Sequence, residues 1–141
     1  MNIVHELIAR TTLDRIYQAL TVPADLAAWF TPDIGSEPEI HVGSVIEFRF
    51  RQGIIRVEVA ELEPDAKVVW KILSGLPGWE GVTGEMIWQV KPSPFGAGTM
   101  LHFTHTGWLS MEGPYPSTNF KIATLIDALK SHAETGILSP A

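Results

Sequence analysis

The chain has 141 residues, a formal charge of −6 and no cysteine. That length fits one domain, residues 1–141, able to bury roughly two thirds of its unfolded surface without a disulfide or metal staple. The acidic balance argues against a binder of nucleic acid, which needs clustered Lys and Arg. The lack of Cys removes thiolate nucleophiles and Cys-based zinc sites. No basic-then-apolar leader is seen, and no apolar run reaches the roughly 20 residues of a membrane span. A cytoplasmic location is therefore expected.

In chain order, residues 2–10 read as a strand. Thr11 and Asp14 have capping-box spacing, and Leu13, Ile16, Tyr17 and Leu20 follow at helical spacing, so a short amphipathic helix is expected over 12–20. Pro23 suits a first helical turn, and residues 24–30 form a second short helix that Thr31-Pro32 closes. Strands follow. In 44–50, Ile46, Phe48 and Phe50 alternate with Glu47 and Arg49; after a turn at 51–53, Ile55, Val57 and Val59 alternate with Arg56 and Glu58. Residues 67–73 put Val68, Trp70 and Ile72 opposite Lys71. After a Gly- and Pro-rich loop at 74–81, residues 82–91 set Met86, Trp88 and Val90 against Glu85, Ile87 and Gln89. The last strand, 99–106, has Leu101, Phe103 and His105 on one side and Met100, His102 and Thr104 on the other. A helix over 117–135 carries Ile122, Leu125, Ile126, Leu129 and Ala133 on one stripe, with Gly136 placed to cap it.

Hairpin-length connections make neighbouring strands antiparallel. One dry face per strand needs a cover, and the terminal helix is the only long amphipathic element. The expected class is α+β, a strongly curved antiparallel sheet (β-α-α-β5/6-α) wrapped around that helix.

Four segments carry a family resemblance: Leu13-Asp14-Arg15-Ile16-Tyr17-Gln18-Ala19-Leu20-Thr21, Leu26-Ala27-Ala28-Trp29-Phe30, His105-Thr106-Gly107-Trp108 and Leu129-Lys130-Ser131-His132-Ala133-Glu134-Thr135-Gly136. Together they resemble the START-like (SRPBCC, helix-grip) superfamily of the major birch pollen allergen. Within it the chain is similar to the branch named after the C-terminal domain of the activator of the heat-shock-protein-90 ATPase. In the last segment His132 stands at the family's aromatic position and Ala133 at its Leu position. The resemblance spans the chain and implies a cavity between sheet and terminal helix. It leaves function open, because the fold hosts carriers, cyclases, dehydratases and co-chaperone domains.

On that basis the candidate ligand-binding residues are Phe48, Phe50, Val57, Trp70, Trp88, Leu101, Phe103, His105, Phe120 and Ile122. Trp29, Phe30, Trp79 and Trp108 are placed at a lid or mouth. The same rings can instead fill the volume as a solid core. His105 either meets a ligand or is a rim histidine bonded to backbone, and the second reading is preferred. His102 and His105 point to opposite faces and make no metal pair. His41 and His132 read as surface residues, and the Glu47, Arg49, Arg56 and Glu58 set as a solvated face of cross-strand pairs. Among the acids Glu6, Glu80, Glu85 and Glu112, nothing puts two together on the dry face. No catalytic residue, metal or cofactor is assigned. The preferred function is binding of a small apolar ligand. The alternatives are a co-chaperone-type protein-interaction module, with a protein partner or homodimer, and a polyketide cyclase- or dehydratase-like enzyme.

Overall fold

The computed structural model describes residues 2–79 and 84–138. The elements are β1 (Ile3–Ala9), α1 (Leu13–Thr21), α2 (Pro23–Trp29), β2 (Ile34–Gly35), β3 (Val45–Phe50), β4 (Gly53–Glu63), β5 (Lys67–Ser74), β6 (Glu85–Pro92), β7 (Thr99–His105) and α3 (Tyr115–Leu138). All strands pair antiparallel in one sheet of order β1-β7-β6-β5-β4-β3-β2. The strands from β2 to β7 run as a meander, and β1 adds to its far edge, with Ile3 opposite His105 and Ala9 opposite Thr99.

The alternation read from the strands decides which face is dry. Ile46, Phe48, Val57, Val59, Val68, Trp70, Met86, Trp88, Leu101 and Phe103 are all buried. The opposite face carries charge: Glu47 lies across from Arg56 and pairs with it at 3.1 Å, and Arg49 reaches Glu47 and Asp33 at 3.0 Å each.

The expected strongly curved sheet wrapped around the terminal helix is corrected. Among the described residues the sheet is open, with β1 and β2 as separate edges that do not pair, and α3 shares the sheet with α1 and α2, which also pack on it. Helix α1 packs on β5 and β6, α2 on β2, and α3 on β1 and on the other two helices. The physical reason lies in the short helices. A single residue joins them: Val22 donates its N–H to the Gln18 carbonyl at 2.9 Å, and its own carbonyl accepts from Leu26 N–H at 3.0 Å. The paired helices therefore bury Ile16, Ala19, Leu20, Leu26 and Trp29 and cover much of the dry face themselves. The alternation patterns show which side of each strand is dry but not how many helices share it.

Smaller differences are also local. Thr12, not Thr11, is the N-cap of α1, its hydroxyl accepting from Arg15 N–H at 3.1 Å. The two-residue β2 is too short to show a period. Helix α3 runs through Gly136 to Leu138 instead of stopping at 135. The expected start of a strand at Val82, and the candidate acid Glu80, lie outside the described residues.

Candidate functional site

Between α3 and the sheet lies an apolar cavity. Ile55, Met86, Trp88 and Phe103 line it from the strands, Phe30 from the C-cap of α2, and Ile122, Leu125 and Ile126 from α3; Leu76, Trp79, Thr118 and Lys121 complete the lining. Its volume is about 20 Å³, close to the space one water occupies. Packed rings account for the small size. Phe30 stacks on Phe48 with centroids 4.1 Å apart, Trp88 meets Phe103 at 4.4 Å and Trp70 at 5.3 Å, and Trp29 stands edge-on to Trp88 at 5.8 Å. Such pairs contribute about 0.5–1.5 kcal/mol each beyond the area they bury.

Of the residues expected around a ligand, Trp88, Phe103 and Ile122 line the cavity, joined by Phe30 and Trp79. Phe48, Val57, Trp70 and Leu101 are buried in the same core but outside its lining. Phe50 is half-buried under the Lys121 ammonium, which sits 4.0 Å from the ring centroid. Phe120 is corrected: it is 76% exposed, because it projects from the side of α3 opposite the stripe that carries Ile122 and Ile126. Trp29 is held inside, its Nε1–H donating to the Ala19 carbonyl at 2.8 Å, which fastens α2 to α1.

His105 is not a rim histidine. It is 0% exposed, and among the described residues neither Nδ1 nor Nε2 has a hydrogen-bond partner. Its ring is enclosed by Trp79 at 5.2 Å, Trp108 at 5.5 Å and Phe103 at 6.5 Å. Burial alone pulls its pKa from the ordinary 6.5 down to about 4, so at neutral pH the ring is uncharged. Among the described residues no carboxylate or hydroxyl is bonded to it, the kind of orienting partner that a histidine general base uses.

Trp79 closes the other side of the cage. Its Nε1–H donates to Thr118 Oγ1 at 3.2 Å, tying the loop after β5 to α3. Gly75 makes that position available: a Cβ there would overlap the Trp79 indole. The loop is held on both flanks. Leu76 and Pro77 abut Gly53 at the start of β4, and Gly78, at φ +98°, lies against Pro114, whose Cβ is 3.2 Å from where a Gly78 Cβ would stand.

Thr118 and Lys121 were not expected at the site, nor were Ile55, Leu76 and Met86. The usable signal was helical spacing: Thr118, Lys121 and Leu125 extend the apolar stripe of α3 backwards by one turn, with two polar groups where it meets the loop. Burial also depresses the Lys121 pKa. His132 is corrected as well: it is half-buried, with Nε2 2.6 Å from Asp25 Oδ1, and Arg15 Nη1 reaches the same oxygen at 3.0 Å. Among the described residues no group of three or more His, Asp or Glu is placed to hold a metal, and no helix is long and apolar enough to cross a membrane.

Comparison with known proteins adds the following. The family model described as Activator of Hsp90 ATPase homolog 1-like protein matches residues 10–134. The solution structure of the Aha1 dimer from Colwellia psychrerythraea is 31% identical, covers 96% of this chain and 98% of that one, and superposes with a TM-score of 0.84. A Mesorhizobium loti protein is 17% identical over 96% of this chain and 98% of its own, with a TM-score of 0.78. A Rhizobium loti protein is 18% identical over 94% and 96%, also at 0.78. These last two share the fold alone. No curated protein matches the chain.

Proposed function

Because the chain belongs to the family of Activator of Hsp90 ATPase homolog 1-like proteins, we propose that it is a co-chaperone-type protein-interaction module acting as one domain on an Hsp90-type ATPase. The observation that carries this reading is the 31% identity to the Colwellia Aha1 dimer across nearly the full length of both chains. The interior supports it. A cavity of about 20 Å³ would have to open more than tenfold to reach the roughly 300 Å³ at which small-molecule pockets begin. The surface, by contrast, offers apolar side chains: Leu109 is 83% exposed, Met111 57% and Phe120 76%. Exposed apolar groups of this size are typical anchors in protein recognition.

The test is the ATPase rate of purified Hsp90 from the same organism, measured with and without this chain, together with co-elution on a sizing column. The expected result is a stimulated rate and a shared peak, both weakened by the double substitution Leu109→Asp with Phe120→Asp. An unchanged rate and separate peaks at tens of micromolar protein would overturn the reading. Self-association belongs to the same proposal, and light scattering is expected to give about twice the 15.5 kDa chain mass.

A further inference from the structure

Next to that cavity, the Trp79 loop and the first two turns of α3 frame an open groove of about 380 Å³. Its walls are Leu76, Pro77, Trp79 and Pro114, and its floor carries Thr118 and Lys121. Pro114, Thr118 and Lys121 fall on one side of the chain as it enters and follows α3, so the two polar groups face the groove together. Lys121 is the unusual member. In a chain of net charge −6, no carboxylate among the described residues lies within ion-pair distance of its Nζ, which sits over the Phe50 ring, 4.0 Å from the centroid. Desolvation has already depressed its pKa, a shift that an arriving anion would reverse. The Thr118 hydroxyl accepts from Trp79 Nε1–H at 3.2 Å, which leaves its own hydrogen to donate and aligns it to do so.

We propose that this groove binds a small aromatic carboxylate, with its carboxylate on Lys121 and Thr118 and its ring against Trp79 and the two prolines. The groove's volume suits a two-ring molecule. A lysine ammonium is a point charge that pairs with a carboxylate from several directions, so an open site is sufficient. The aromatic and proline walls supply flat apolar surface on either side of that charge. A small apolar molecule without an anionic group leaves the ammonium unpaired and is discriminated against.

The probe is 2-naphthoate, titrated into the ¹⁵N-labelled chain at pH 7, with 2-naphthylmethanol as its neutral counterpart. Saturable shifts are expected at the Trp79 indole N–H and the Thr118 and Lys121 amides, with the alcohol binding at least tenfold more weakly. Lys121→Met is expected to lose at least tenfold in affinity and Lys121→Arg to keep most of it. Equal affinity for acid and alcohol in the unaltered chain, or shifts centred on another surface, would overturn the proposal with no variant needed. Unaltered binding by Lys121→Met would do the same. Hsp90 stimulation is a separate readout, so either result can fail alone.

Discussion

His105 sets a pH dependence through a single side chain. Its folded pKa, near 4, lies below the ordinary 6.5 because charging the ring inside the Trp79, Trp108 and Phe103 cage has no compensating partner. Between those two values the unfolded chain binds a proton that the folded chain refuses. The stability tied to neutral His105 is therefore complete above pH 6.5, falls as pH drops toward 4, and loses nothing more below that. A shift of this size corresponds to about 3 kcal/mol over the full window. Urea unfolding at pH 7 and pH 5 is expected to show a loss that His105→Phe largely removes, since Phe keeps the cage filled with nothing to protonate. Equal pH slopes for the two proteins would show that other groups carry the effect. The sequence put His105 in phase with Leu101 and Phe103, which placed it on the dry face. It could not show that Trp79 and Trp108, 26 and 3 positions away, would close over both ring nitrogens.

At the level of elements, three helices meet on one oxygen. Asp25 Oδ1 in α2 accepts from Arg15 Nη1 in α1 at 3.0 Å and from His132 Nε2–H in α3 at 2.6 Å. Since a nitrogen that donates to Asp25 cannot also accept, the 3.0 Å approach of Arg15 Nη2 to His132 Nε2 is a packing contact. The side chains are 14–24% exposed, so each bond falls between surface pairs and fully buried ones in strength. Removing the shared acceptor does the most harm, because it takes the partner of both donors at once. Asp25→Ala is expected to cost about 2 kcal/mol in chemical unfolding, and Arg15→Ala or His132→Ala about 1. A cost for Asp25→Ala no greater than for either donor variant would dissolve the clamp. The periodicity of each helix was readable because it depends on neighbours three and four residues away. The clamp was not, because it joins positions 15, 25 and 132, whose proximity depends on where α3 lies across the sheet. The same gap explains why α3 was expected to be encircled: its apolar stripe was visible, but α1 and α2 compete for the same dry face.

Over the whole molecule, most of the aromatic residues form one connected core. Contacts run from Phe50 through Phe30, Trp70, Trp88 and Phe103 to His105, Trp79, Trp108 and Tyr115. They link α2, strands β3, β5, β6 and β7, the loop after β5 and the start of α3. Strand alternation made most of these positions legible as inward-facing, and it left open whether they would enclose space. Side-chain volume answers that: large rings on neighbouring strands, met by Trp29 and Phe30 at the end of α2, leave about 20 Å³. All five tryptophans are buried, at 5%, 0%, 5%, 2% and 3% exposure for Trp29, Trp70, Trp79, Trp88 and Trp108. They therefore report on the two short helices, the sheet and the closing loop at once. Tryptophan emission is expected to be blue-shifted in the native state, and its urea transition to coincide with the loss of far-UV ellipticity, since one contiguous core unfolds as a unit. If emission shifted at lower urea than ellipticity, the Trp79–Trp108–His105 cage would be opening ahead of the sheet, and the rings would be two cores instead of one.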